Sequence, residues 1–192
     1  MDKHFIKAII DQYAPISDEI FTALAQHIQI STFPKGHQLV KEGQHSDKLF
    51  LILKGSAKAY YLKDGKVITD WFAFENDFIC AINSYFLFIP SPHFIELLED
   101  STLLTLRRDD MLKLCDQYHE VERLTRITIT KTMLQLQQRV VSLQFETAQQ
   151  RYQSLLSIYP NIENRVPLGD IASFLGITQE TLSRIRASKK RI

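Results

Sequence analysis

A chain of 192 residues with 45% hydrophobic side chains is long enough for one large domain, or a core domain with a small satellite, and can fold without covalent staples. Twenty-three Lys and Arg against 22 Asp and Glu give a net charge of +1, so overall charge points to no nucleic-acid partner, and two cysteines, Cys80 and Cys115, exclude a disulfide framework and a four-thiolate iron–sulfur cluster. No run approaches the roughly 18 apolar residues of a membrane span, and "MDKHFIKAII" has an acidic Asp2 and no cleavage site, so a cytoplasmic protein without membrane partners is expected.

Residues 2–30 read as two short helices. Phe5, Ile6, Ile9, Ile10 and Tyr13 fall at helical spacing, Pro15 breaks the run, and Ser17 before Asp18 and Glu19 reads as an N-cap. From Ser31 the texture changes: glycines at 36, 43, 55 and 65 separate short β-branched and aromatic segments. "DKLFLILKG", "SAKAYYLKDGKVITDWFAF" and "STLLTL" read as strands, with Asp64-Gly65 as a two-residue hairpin turn. An antiparallel sheet folded on itself to about residue 106 follows.

Residues 109–144 lack Gly and Pro, and Ile127, Leu134 and Val141 recur every seven, flanked by Val121, Leu124 and Val140. That predicts one long helix of some 36 residues, or about 54 Å. Part of its stripe pairs with a second copy of the chain, or else the whole stripe packs on its own sheet. A further helix, about 146–158, ends before Pro160 and the polar "NIEN" loop.

The segment "LGDIASFLGITQETLSRI" meets the requirements of a helix-turn-helix. Ala172 is small where two helices cross, Gly176 suits a left-handed turn, and Ile171, Leu175, Ile177, Leu182 and Ile185 supply the shared core. Thr178 caps the second helix, whose outward face carries Gln179, Glu180, Thr181, Ser183 and Arg184, all able to hydrogen-bond base edges in a major groove. Arg186, Lys189, Lys190 and Arg191 fall where phosphates would lie. Residues 165–192 carry net +4 and the remainder net −3, which concentrates positive charge at this end. The plainer alternative is a packing hairpin with a solvated charged face.

The glycine-spaced "FPKGHQLVKEGQHSDKLFLILKGSAKAYYLKDGK", the long helix and this terminal segment, in that order, resemble the Crp/Fnr family of bacterial transcription regulators. The resemblance implies an α+β fold in three parts. A sensor of helices and an antiparallel, cyclic-nucleotide-binding type β-roll (a double-stranded β-helix) would occupy residues 1–108, a dimerisation helix 109–144 and a helix-turn-helix DNA-binding domain 145–192. It further implies double-stranded DNA and a second copy of the chain as partners, with RNA polymerase and an unidentified small-molecule effector as further candidates. The family's Glu and Arg base contacts map onto Glu180 and Arg184, while Gln179 stands where an Arg is frequent, and Ile192 leaves no strand pair beyond the recognition helix.

The cyclic-nucleotide cassette departs from the family pattern. In "NDFICAINSYFLFIPSPHF" its Gly-Glu positions are Cys80 and Ala81, and its phosphate-binding Arg falls at Ser91 or Pro92. Residues 72–100 hold no Lys or Arg but five carboxylates, with Arg107 and Arg108 read as surface strand ends, so neither cyclic AMP nor cyclic GMP is expected to bind. Phe72, Phe78, Cys80, Ala81, Ser91 and Thr125 are the candidate pocket residues, and the crowd of aromatics (Phe74, Tyr85, Phe86, Phe88 and Phe94 among them) reads either as an apolar cavity or as a collapsed core. The histidines show no ligand spacing, so no metal or cofactor is expected, and no nucleophile elbow or paired motif suggests an enzyme. The rival reading is a ligand-sensing or protein-interaction module whose terminal helices no longer read DNA.

Overall fold

The computed structural model describes residues 3–189. Two helices, α1 (Lys3–Asp11) and α2 (Asp18–Ala25), open the chain. Ser17 caps α2 through the Ile20 amide (3.4 Å), as its position predicts, and Ile6, Ile9 and Ile10 are buried while Phe5 stays exposed.

Eight strands follow: β1 (Gln29–Phe33), β2 (Gln38–Val40), β3 (Lys48–Lys54), β4 (Ala57–Lys63), β5 (Lys66–Ala73), β6 (Phe78–Cys80), β7 (Phe94–Leu97) and β8 (Ser101–Arg107). They form two antiparallel four-stranded sheets, ordered β1-β8-β3-β6 and β2-β7-β4-β5. The period of two sorts β3 cleanly: Phe50 and Ile52 point between the sheets, whereas Leu51 and Leu53 point outward into the helices. Burial on both faces explains why "LFLIL" is an unbroken apolar run rather than an alternating one. Asp64 and Gly65 both take positive φ (52° and 72°), the type I′ geometry expected of that dipeptide. Gly55, at φ +101°, turns β3 into β4 hard against Ser101.

The single helix predicted over 109–144 is a pair. Helix α4 (Arg108–Gln117) ends at Tyr118, whose extended backbone (φ −130°, ψ 110°) redirects the chain into α5 (His119–Phe145). The bend lets Met111 and Leu114 on one helix and Val121 and Leu124 on the other reach the same core under β3 and β8. The exposed apolar seam of α5 also differs from the predicted one. Ile127 packs on the chain's own core, whereas Ile129, Met133, Leu136, Val140 and Leu143, at spacings of four and three, lie exposed with Leu134 and Val141 beside them.

Four helices complete the described chain: α6 (Ala148–Ile158), α7 (Ile162–Arg165), α8 (Leu168–Phe174) and α9 (Gln179–Lys189). A reciprocal capping box between Thr147 and Gln150 starts α6. The "NIEN" segment read as a loop contains α7, which carries Ile162 into the core of this terminal unit. A short helix, α3 (Ile82–Leu87), follows β6.

The terminal unit is docked on the outer face of the β4–β5 sheet. Phe72 and Phe74 leave the strands to pack with Phe174 and Tyr159, at ring-centroid distances of 5.0 and 4.6 Å. Strand β5 is a sheet edge, and Ser173 on α8 satisfies it: its hydroxyl accepts from the Thr69 amide (2.9 Å) and donates to the Val67 carbonyl (3.1 Å). One side chain thus both anchors the unit and closes an edge otherwise open to foreign strands. The buried Lys58–Asp170 pair (2.8 Å) fixes the same contact.

Candidate functional site

Helices α8 and α9 cross as the apolar spacing predicts. Ile171, Ala172, Leu175 and Leu182 are buried in one cluster, with Ile177 and Ile185 against it, and Gly176 turns the chain at φ +69°. Thr178 caps α9 through the Thr181 amide (3.3 Å). The face opposite Leu182 is open: Gln179, Glu180, Ser183 and Arg184 are exposed, and Thr181 is half-buried between them. Thr178, Thr181 and Arg184 form a hydrogen-bonded line, with the hydroxyls 3.2 Å apart and the guanidinium donating to Thr181 at 3.3 Å. The Glu180 backbone amide and the Thr178 hydroxyl hold the Glu180 carboxyl below the usual carboxylate range, so it is an anion in neutral solution. The ridge therefore offers amide, hydroxyl, carboxylate and guanidinium groups side by side.

Not all the positive charge of this region faces outward. Arg186 is half-buried and pairs with Glu163 at 2.5 Å, so its guanidinium is committed within the terminal unit. Arg165 turns the other way and forks across Glu75 (2.8 Å) and Glu99 (2.6 Å), with a further bond to the Gly55 carbonyl (3.0 Å). It is a docking residue. Lys189 closes α9, while Lys190 and Arg191 lie outside the described residues.

The six candidate pocket residues do not line one cavity. Ala81 is fully buried between the sheets with Phe50, Ala59 and Ile79, and Ser91 is buried where it closes its own loop, donating to the His93 carbonyl (2.7 Å). Phe72 lies under the terminal unit, and Phe78 faces the helices, edge-on to Tyr13 at 5.0 Å. Cys80 is shielded from solvent, and burial pushes its thiol up to about 12, which makes it unreactive at neutral pH. Thr125 sits on α5 against the sulfurs of Cys115 (3.5 Å) and Met111 (3.6 Å). Phe86 and Phe88, grouped with the pocket aromatics by sequence, are exposed.

Ser91, one of the two positions, with Pro92, at which the resemblance places a phosphate-binding Arg, is thus spent on its own loop. His93 beside it is buried against Tyr61, and burial lowers its pKa, so it stays neutral and brings no cation between the sheets. Arg107 is a surface strand end paired with Asp47, as expected, but Arg108 is not. It starts α4 and lies 3.8 Å over the Phe88 ring, donating to the Tyr85 carbonyl (3.4 Å), where it clamps the end of the cassette from outside.

A second concave feature involves Thr128 and Thr132, which with Thr125 and Thr130 the sequence leaves between a ligand-facing and a merely solvated side of the long helix. Thr128, Lys131, Thr132 and Gln135 share one face of α5 and look onto Asp77, Trp71 and Tyr159 across a cleft of about 70 Å³. Their spacing of three, four and seven is a helical face legible in sequence; the partners opposite are not.

Residues 30–118 match the cyclic nucleotide-binding domain family. The whole fold is similar to that of the c-di-GMP-responsive regulator CLP of Xanthomonas campestris, with a TM-score of 0.71 at 12% identity over 91% of this chain and 92% of that one. A CooA mutant from Carboxydothermus hydrogenoformans gives 0.68 at 18% identity over 88% and 78% of the two chains. A Crp/Fnr-family protein from Eubacterium rectale gives 0.69 at 18% identity over 91% and 85%. No curated protein matches the chain by sequence. Residues 30–118 are thus similar to a cyclic nucleotide-binding domain, and the chain as a whole shares the fold of these solved regulators.

Proposed function

We propose that this protein is a sequence-specific DNA-binding transcription regulator of the Crp/Fnr type, whose α8–α9 pair is a helix-turn-helix. The observation that carries the reading is the uncovered ridge of α9: Gln179, Glu180, Ser183 and Arg184 stay exposed although the rest of the terminal unit is docked on the sensor. A helix kept only for packing needs no such set of base-reading groups on its free side. Docking alone would suit the rival protein-interaction module, but that module has no use for a capped, solvent-facing helix of this composition.

The exposed seam of α5, from Ile129 to Leu143, supports a homodimer through that helix. Two recognition helices then enter successive major grooves of a two-fold symmetric operator, roughly 34 Å apart. RNA polymerase is the natural further partner of a cytoplasmic regulator of this kind. Ser91 or Pro92 in place of the phosphate-binding Arg, neither of them a cation, and the neutral His93 support a sensor that does not take cyclic AMP or cyclic GMP.

Selection of bound sequences from a random DNA pool tests the reading. A palindromic consensus is expected, and Arg184→Ala relaxes it at one base position per half-site, at a cost of about 1–3 kcal/mol against the preferred base. No enrichment, or a profile unchanged by Arg184→Ala, overturns it. Micromolar binding of either cyclic nucleotide by calorimetry overturns the statement about the cassette.

A further inference from the structure

The cleft beside α5 borders the start of the cassette stretch through Asp77 and Phe78, but Cys80, Ala81 and Ser91 take no part in its walls. Three bodies meet there, namely the β5–β6 turn with the end of α1, the long helix, and Tyr159 at the close of α6. Tyr13, Trp71 and Tyr159 make an aromatic wall. On the opposite side Lys131 and Gln135 stand exposed at the mouth, and Thr128 and Thr132 lie half-buried below them. Both threonine hydroxyls already donate to α5 carbonyls, so they have only lone pairs to offer a ligand.

Two opposite charges face this space, close enough for Lys131 to offset part of the upward push that burial gives the Asp77 carboxyl, yet without a direct ion pair between them among the described residues. Asp77 uses one carboxylate oxygen to accept from the Phe74 amide (3.0 Å) and forms no ion pair among the described residues. Lys131 likewise forms none there, and its ammonium instead rests 4.3 Å from the Tyr13 ring centroid. Glu75 nearby is taken by Arg165. An anion alone would satisfy Lys131 and face Asp77; a cation alone would do the reverse. A molecule carrying both charges satisfies both, and an alkylammonium also gains from the electron-rich faces of Trp and Tyr. Since a cavity of about 150 Å³ holds the roughly six heavy atoms of benzene, a cleft of about 70 Å³ encloses roughly three, and its open side leaves the remainder of a small molecule at the mouth.

We propose that this cleft binds a small zwitterion of the amino-acid class, its ammonium between Asp77 and the Trp71–Tyr159 wall and its carboxylate on Lys131 and Gln135. Because Tyr159 also stacks on Phe74 at 4.6 Å, an occupant touches the sensor, the long helix and the terminal unit together. Any effect on DNA affinity rests on the regulator reading; the binding itself does not.

Trp71 is the chain's only tryptophan, so its fluorescence reports occupancy directly. The full chain without DNA is titrated with glycine, β-alanine and sarcosine, with acetate and methylammonium as single-charge comparators. A saturable change is expected from at least one zwitterion and from neither comparator. Lys131→Gln and Asp77→Asn each weaken it about tenfold or more, as loss of a charged hydrogen-bond partner implies. Asn at position 77 still accepts from the Phe74 amide, and unchanged thermal melting without ligand verifies that both variants are folded. No saturable response up to about 50 mM, equal binding of a comparator, or folded variants that bind as the parent does would each overturn the proposal. Since no DNA is present, these failures leave the regulator reading intact, and a failed DNA selection leaves the cleft intact.

Discussion

Replacing Lys58 by Met should loosen the terminal unit from the sensor. Lys58 and Asp170 meet at 2.8 Å with side chains 11% exposed each. At an effective dielectric near 20, their gross attraction is about 6 kcal/mol, largely offset by the cost of taking two ions out of water. Lys58→Met therefore loses far less than an attraction of that size but strands the Asp170 carboxylate, and stranding a buried partner costs about 3–5 kcal/mol. The Thr69 amide reads this out locally, because it is held by Ser173 of the docked α8 rather than by a neighbouring strand. At about 3 kcal/mol, its hydrogen exchange should accelerate roughly a hundredfold, while amides of β3 and β8 keep their protection. The double variant Lys58→Met/Asp170→Leu removes both ions and should return Thr69 exchange to within about tenfold of the parent, since an apolar pair of similar volume substitutes well for a buried ion pair. A Lys58→Met protein with Thr69 exchange within about threefold of the parent, or a double variant as fast as the single one, refutes the account of docking.

Three further outcomes follow from named contacts. Burial would raise the Glu75 carboxyl, but the Arg165 guanidinium and the Glu75 and Gly55 amides override it and hold it below the usual range. Its contribution to docking is then complete above the ordinary carboxylate pKa and lost as pH falls through the depressed value; Thr69 exchange followed into the acid range should show this step, and Arg165→Met should flatten it. Glu75 is more than a third exposed, so the step is worth less than about 1 kcal/mol. Gly55→Ala combines an unfavourable φ of +101° with a Cβ only 2.9 Å from the Ser101 Cα, and should cost about 3 kcal/mol, seen as a melting temperature lower by about 10 °C. Leu136→Glu, at the centre of the exposed α5 seam, should give a folded monomer by sedimentation with unaltered intrachain packing; a parent that is itself monomeric at about 100 µM refutes the dimer.

What could be read from the sequence depended on how far apart the interacting residues lie. The α8–α9 pair was legible because Ala172, Gly176 and Leu182 impose their constraints on one another within a single short segment. The hairpin at Asp64-Gly65 was legible for the same reason. The division between α4 and α5 was not, since no Gly or Pro marks Tyr118 and the bend is set by what lies beneath it, the core that Leu114 and Val121 both enter. Phe72 and Phe78 were grouped as pocket residues because they are near in sequence, but they belong to different cores on different faces of their sheets.

Charge shows the limit most clearly. Counting Arg165 and Arg186 in a basic tail assumed that both look toward DNA, yet Glu75, Glu99 and Glu163 take them, the first two from positions 90 and 66 residues away. A sequence count cannot tell a free charge from one already neutralised, because the neutralising partner is chosen by the fold. The same partition explains how one small unit serves two ends. Arg165 and Asp170 fasten it to the β-sheet body, and the ridge around Arg184 remains open on the far side of Leu182. Under the proposed function, a signal that shifts the docked face would move the α9 ridge without altering its chemistry, which is the coupling that a sensor joined to a DNA-reading helix would require.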